Sequence, residues 1–294
     1  MSYLSRLAAM LLLVLAAPVA AANGRCPAAE FRVMTYNIRL DTPADGPNRW
    51  DRRRDLLTGQ IRLLRPAILG MQEVVPGQRA DLVAALPEYV ALGGGRDDGK
   101  LAGEASPLFV DKALFRIEAS GMFWLSPTPD LPSLGWDAAF RRVASWAHLV
   151  RRRDGRRILA VNTHWDHIGK QARLNSARQL RQWITAQRRK GEAVVVLGDF
   201  NAPLAEASLQ DLLALPLGDA KARSIEPAIG ASITFNGWET VPNKGDTIDH
   251  VLISDGLRVR RYHALAEHFD GRLASDHFPV IADLFFTPVG KGCG

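Results

Sequence analysis

Six apolar runs in this chain are each bordered by a short polar cluster, and that recurrence limits the fold more than any single motif does. The clusters are Asn37 in VMTYNIR, Gln72-Glu73 in ILGMQEV, Asn162-Thr163-His164 in LAVNTH, Gly198-Asp199-Phe200-Asn201 after AVVVL, Asp249 in TIDHVLIS, and Ser275-Asp276-His277 before FPVIADLFF. One strand end meeting solvent can carry such a cluster without consequence. Six together supply carboxylates, carboxamides and two imidazoles, the equipment for hydrolysing a phosphate ester with a hard divalent cation.

The runs themselves read as strands at 31–38, 67–74, 106–110, 144–150, 158–164, 193–197, 247–253, 259–264 and 278–286. Amphipathic helical spacing occupies 52–64, 79–86, 171–187 and 204–213. Because hairpin-like strand pairs interrupt the alternation, the pattern is α/β with two packed mixed β-sheets flanked by helices, not a doubly wound parallel sheet. In the 171–187 helix, Leu174, Ala177, Leu180, Trp183 and Ile184 fall on one buried face, with Arg173, Arg181 and Arg188 expected outward. Two stretches rich in glycine or proline, 93–104 and 121–136, are expected to be loops and to carry specificity.

A chain of 294 residues, 47% hydrophobic and without a composition break, can bury one large core, so 23–294 is expected to be one domain; a monomer is expected as well. Before it, 1–22 reads as a signal peptide: Arg6 precedes an apolar run ending in small residues. That run is shorter than the roughly 20 residues of a spanning helix, so no transmembrane segment is expected in the mature protein. Arg25 before Cys26 argues against retention as a lipoprotein. The expected location is therefore the periplasm or the medium. In an oxidising compartment, Cys26 and Cys293 are expected to form a disulfide joining the termini.

The net charge is +6, which could serve an anionic partner such as nucleic acid, a phosphorylated glycan or a lipid head group. The densest basic cluster, Arg151-Arg152-Arg153-Asp154-Gly155-Arg156-Arg157, surrounds Asp-Gly between two apolar runs and reads as a hairpin turn with solvated charges.

A phosphate ester repels hydroxide, so its hydrolysis needs neutralised oxygens, activated water and a stabilised leaving oxygen. Glu73 closes a buried run and is placed to hold a hard cation. Asp199 and Asn201, one residue apart, point to the same side of an extended segment and can hold a water or a metal and a phosphate oxygen between them. A turn would explain Gly198 and Pro203 but not why VVVL delivers a polar pair. Asp276 and His277 project oppositely, which suits Asp276 to the metal and His277 to the nucleophilic water, with Asp249 orienting the imidazole. His164 can donate to a phosphate oxygen. Asp166 and His167 are candidates for the substrate rim; His250, His263 and His268 carry no assigned role.

In this order the motifs resemble the endonuclease/exonuclease/phosphatase superfamily, which includes pancreatic-type deoxyribonucleases, abasic-site endonucleases, inositol-polyphosphate phosphatases, sphingomyelinases and deadenylases. The resemblance runs from Phe31 to Phe286. It implies a four-layered α/β sandwich and a magnesium or manganese cofactor. Asn37, Glu73 and Asp276 match metal-site positions, and Asp199 and Asn201 the phosphate-facing pair. His277 matches the general base polarised by Asp249, and His164 the second active-site histidine. Glu104 sits where relatives pair a glutamate with that histidine, and Asn162, in place of a tyrosine-containing motif of the abasic-site enzymes, is grouped with the phosphate contacts. Segments such as NRWDRRRDL and FWLSPTPDLPSLGWDAAFRR are similar to a bacterial subfamily often exported or fused to carbohydrate-active proteins.

The expected function is a metal-dependent phosphoesterase acting on a small, glycan-linked or lipid-linked phosphate ester. A secreted nuclease and a non-catalytic binding protein on the same scaffold are the alternatives. The second would show salt dependence through multiple phosphate contacts, and the third would have lost catalytic positions, none of which is missing.

Overall fold

The computed structural model describes residues 30–287; the 1–22 leader and the pair Cys26 and Cys293 lie outside the described residues. In chain order the elements are β1 (Phe31–Asn37), α1 (Trp50–Leu64), β2 (Ile68–Gln72), α2 (Pro76–Ala85), β3 (Tyr89–Leu92), β4 (Leu108–Asp111), β5 (Phe115–Trp124), β6 (Val143–Arg151), β7 (Arg157–His164), α3 (Lys170–Gln187), β8 (Ala193–Asp199), α4 (Ala207–Leu212), β9 (Leu217–Asp219), β10 (Ile229–Gly230), β11 (Asp249–Ser254), β12 (Leu257–Ala264) and β13 (Val280–Phe286).

They form a seven-stranded sheet, β10-β12-β13-β1-β2-β4-β3, and a six-stranded sheet, β5-β6-β7-β8-β11-β9. Both are mixed, since β1–β2 and β7–β8 pair in parallel while β1–β13 and β8–β11 are antiparallel. One core fills the space between the sheets, a second lies beneath α3 and α4, and a third lies beneath α1 and α2. The result is a helix, sheet, sheet, helix sandwich. Each fully buried leucine, isoleucine or valine of these cores contributes about 1.5–3 kcal/mol.

Strand alternation carries this core directly into a polar site. Phe31 and Val33, Ile68, Ile158 and Ala160, Val195 and Leu197, and Val251 and Ile253 all face the layer between the sheets. Continuing by twos along the same pleat face gives Asn37, Gln72, His164, Asp199 and Asp249, at neighbouring strand ends.

Just inside that edge, a polar layer ties the sheets together. Gln72 Nε2 donates to Thr35 Oγ1 (3.0 Å) and Asn162 Oδ1 (2.7 Å), and Asn162 Nδ2 donates to the Met71 and Pro107 carbonyls. Gly70 permits the approach: a Cβ there would lie 2.4 Å from Asn162 Oδ1.

Several local expectations change. β3, β5, β9 and β10 are strands not read from the periodicity, and the 121–136 loop begins only after β5 ends at Trp124. Gly121 is a strand residue because the Trp146 ring lies over it, where a Cβ would meet the indole at 2.8 Å. Arg173 is buried, not outward, because it binds the Glu206 carboxylate through two nitrogens (2.7 and 3.0 Å) and donates to the Asp166 carbonyl. The arginine-rich 151–157 segment is the expected β6–β7 hairpin, with Asp154 holding Arg151 and Gly155 at φ 71°. Among the described residues, no helix is long and apolar enough to cross a membrane.

Candidate active site

The polar edge opens into a cleft of about 390 Å³ lined by Glu73, Glu104, His164, Asp199, Asn201, Asp276 and His277, with Arg39, Arg96 and Arg142 beside them. Three of its loops are held in backbone conformations that L-residues rarely adopt: Arg39 at φ 53°, Glu73 at 61° and Asn201 at 49°. Such conformations cost of order 1–3 kcal/mol each and concentrate at functional sites. Here they turn the side chains following β1, β2 and β8 into one cleft.

His277 and Asp249 form a buried dyad, with Nδ1 2.9 Å from Oδ2. His277 Nε2 lies 3.8 Å from Asp199 Oδ2, which also lies 3.4 Å from His164 Nε2. Burial pulls the His277 pKa down, but the charge and hydrogen bond of Asp249, with Asp199 and Asp276 nearby, raise it to about 10. Burial, reinforced by the Asp249 charge, raises Asp199 to about 7 against the opposing pull of His277. His164 is held neutral, its pKa well below the usual imidazole value because of burial and then the Arg142 charge. One imidazole is thus suited to proton transfer and the other to neutral hydrogen bonding.

Asn37 links this group to a carboxylate pair. Its Nδ2 donates to Glu73 Oε1 and Asp199 Oδ2, both at 3.0 Å. Glu73 Oε2 and Asp276 Oδ2 converge on the Arg39 guanidinium at 4.0 and 3.8 Å, while Asp45 binds the same guanidinium more closely (2.8 and 2.9 Å). Burial and then the nearby Glu73 charge raise the Asp276 pKa, although His277 opposes the rise. The two carboxylates facing a shared positive charge are hard-oxygen donors of the kind that magnesium or manganese takes, and the neighbouring Asn37 Oδ1, which accepts the Arg39 backbone N–H at 3.0 Å, is a third donor of that kind. Asp199, Asp249 and His277 also bring ligand atoms within 4.8 Å of one another. In that group, however, Asp249 and His277 already occupy each other, so the donor set around Glu73 and Asp276 is the better fit.

Other expected site residues fall differently. Glu104 lines the cleft but pairs with Arg96 at 2.6 Å, and no hydrogen bond or ion pair joins it to His164 among the described residues. Asn201 lines the cleft with Nδ2 3.1 Å from His164 Nε2 and 2.9 Å from the Trp165 carbonyl. Asn162, grouped with the phosphate contacts from sequence, is fully buried in the inter-sheet polar layer and does not line the cleft. Its position two residues deeper than His164 on the same strand face is the physical reason. Asp166 is likewise buried and not at the rim; it accepts backbone hydrogen bonds from Ala139, Phe140, Ile168 and Gly169 and pins two loops.

The cleft also contains residues that the sequence reading did not select. Arg142 reaches His167 Nδ1 at 3.2 Å, and Phe140 stacks on His167 with centroids 5.9 Å apart. Arg96 lies over the Phe140 ring at 4.8 Å, and Phe235 meets His277 edge-on at 5.1 Å. The position of Arg39 two residues after Asn37 was an available signal; for Arg96, Phe140 and Phe235 nothing in the local sequence distinguishes them from ordinary loop residues.

The whole-chain comparisons agree with this fold. The chain is similar to the solved endonuclease/exonuclease/phosphatase from Bacteroides vulgatus, at 36% identity over 88% of this chain and 100% of that one, with a TM-score of 0.83. A family protein from Bacteroides thetaiotaomicron superposes at a TM-score of 0.84, with 32% identity over 89% of this chain and 100% of that one. The mannosyl-6-phosphatase of the same species does so at 0.82, with 33% identity over 87% and 100%. A profile of the Endonuclease/Exonuclease/phosphatase family matches residues 34–277, which span every cleft residue named above. The chain belongs to the endonuclease/exonuclease/phosphatase family.

Proposed function

We propose that this protein is a divalent-cation-dependent hydrolase of phosphate monoesters carried on sugars or glycans, acting outside the cytoplasm. The observation that carries the hydrolytic reading is the buried His277–Asp249 dyad facing Asp199 and His164 across the cleft. Asp249 orients the imidazole, and His277 Nε2 in its unprotonated form takes a proton as water attacks phosphorus. Neutral His164 and the Asn201 amide, which contact each other at 3.1 Å, would exchange that contact for hydrogen bonds to the phosphate oxygens. Asn37, Glu73 and Asp276 would hold magnesium or manganese. When bound, the ion supplies charge neutralisation for the phosphate and the leaving oxygen.

Similarity to a mannosyl-6-phosphatase favours a phosphate monoester with a sugar as the leaving group. Export rests on the 1–22 leader, and a Cys26–Cys293 disulfide would accompany it. The nuclease reading draws on the net charge of +6, but four of the five arginines of the 151–157 hairpin are engaged within the fold: Arg151 with Asp154, Arg152 with the Lys112 carbonyl, Arg156 with the Thr287 carbonyl and Arg157 with Glu118. The discriminating experiment incubates the protein and magnesium separately with hexose phosphates, phosphodiesters, DNA and RNA. Release of inorganic phosphate from the hexose phosphates, with the polymers intact, is expected. Cleavage of the polymers alone would move the assignment to a nuclease.

A further inference from the structure

Arg53, in the basic stretch of α1, is 1% exposed, and among the described residues its hydrogen-bond partners are all main-chain carbonyls. Nε donates to Asn48 O at 2.8 Å, Nη1 to Ile38 O at 2.5 Å and Ala274 O at 3.1 Å, and Nη2 to Arg39 O at 2.6 Å and Leu40 O at 3.5 Å. Its guanidinium also lies over the rings of Trp50 and Trp238, at 5.2 and 5.5 Å. A buried cation costs several kcal/mol to desolvate unless its surroundings compensate it, so a position satisfied only by carbonyls and aromatic faces has a specific use.

Four of the five carbonyls, all but Asn48 O, belong to the segments that carry the cation-site side chains. Residues 38–40 follow Asn37 directly, and Ala274 lies two residues before Asp276. The Trp238 turn is tied to the second segment, because Asn236 N and Gly237 N donate to Asp276 O at 2.7 and 3.1 Å and Asn236 Nδ2 donates to Ser275 O. Ser275 Oγ donates to Asn37 O at 2.7 Å and closes the circuit. Three loops distant in sequence therefore meet at one guanidinium that touches none of the reacting groups.

We propose that Arg53 is a positioning residue for the divalent-cation site, holding the Asn37 and Asp276 loops at the separation that cation binding requires. The assignment rests on the metal-dependent reading above. Lysine keeps the charge but not the planar fork of five N–H groups, so it cannot reach carbonyls on both loops at once.

The test is a titration of chelator-stripped protein with Mn²⁺, following free Mn²⁺ by electron paramagnetic resonance, for wild type, Arg53→Lys, Trp238→Ala and Leu212→Ala. Leu212, at the end of α4, is fully buried in the core beneath α3 and α4 and does not line the cleft, and its truncation controls for lost stability. Arg53→Lys should raise the Mn²⁺ dissociation constant about 10–100-fold, the usual loss when a partner supporting metal ligands is removed. Trp238→Ala should raise it less, and Leu212→Ala should leave it unchanged while lowering the melting temperature. If Arg53→Lys does not fold, Trp238→Ala carries the test. Wild-type affinity in Arg53→Lys and Trp238→Ala, or an equal loss in Leu212→Ala, overturns the assignment. A wild type that takes up no Mn²⁺ overturns the metal-dependent reading and this one together.

Discussion

His277 Nδ1 lies 2.9 Å from Asp249 Oδ2 with both side chains buried, so the imidazole is fixed with Nε2 toward Asp199. Asp249 Oδ1 has no hydrogen-bond partner among the described residues, so Oδ2 alone anchors the ring. The dyad depends on tertiary closure: Asp249 begins β11, whereas His277 lies in the loop before β13.

Replacing Asp249 with asparagine keeps the shape but can stabilise the wrong imidazole tautomer. A loss of about 10³–10⁴-fold in kcat with little change in KM is expected, in line with the loss when a triad aspartate is changed this way. Steady-state phosphate release in magnesium measures it. An unchanged kcat would remove His277 from proton transfer.

The pH dependence of stability follows from the same pair. The folded His277 pKa of about 10 stands above the ordinary histidine value of about 6.5. Stability contributed by the protonated dyad is therefore fully present below about pH 6.5 and lost as pH rises through about 10. In chelator, the stability difference between wild type and His277→Asn should shrink steadily across that window in urea unfolding. A constant difference would mean that His277 is not protonated in the folded, cation-free protein.

Much of the site was legible because strand alternation places residues two apart on one face. Asn37, Asp199 and Asp249 extend apolar core faces, so a polar residue closing the run marks the sheet edge. The same pattern misplaces Asn162, since it gives the face but not the depth at which the inter-sheet layer ends. Arg53 was hidden in a basic helix because nothing in RRRD distinguishes the arginine that turns inward. β5 was hidden by its mixed, half-exposed face and by the register shift between Ile117 and Ala119. Which loops meet over the cleft depends on closure of both sheets, and local sequence does not encode that closure.

Asn162→Ala tests the structural role of the polar layer. It removes hydrogen bonds to Gln72 Nε2 and to the Met71 and Pro107 carbonyls, each worth about 0.5–1.5 kcal/mol net, while Gln72 Nε2 keeps Thr35 Oγ1 and the Pro107 carbonyl keeps Met71 N. Urea unfolding should show that loss while KM for the phosphate ester stays near wild type. A large rise in KM at unchanged stability would instead return Asn162 to substrate binding.

Cation removal should abolish turnover, and magnesium or manganese should restore it. Glu73→Gln and Asp276→Asn should each raise the activating metal concentration by at least about 10-fold, because each removes a hard anionic oxygen. A calorimetric magnesium titration of the two variants checks this independently of turnover. Wild-type binding in both would move the cation to the Asp199, Asp249 and His277 group.

The most direct measurement is inorganic phosphate released from a hexose 6-phosphate by the magnesium-loaded protein, for wild type and His277→Ala in parallel. The expected result is turnover by wild type that chelator abolishes and that His277→Ala lowers by at least about 10³-fold. Phosphate release that survives in His277→Ala, or no release by wild type from any phosphate monoester, would contradict hydrolysis at this cleft.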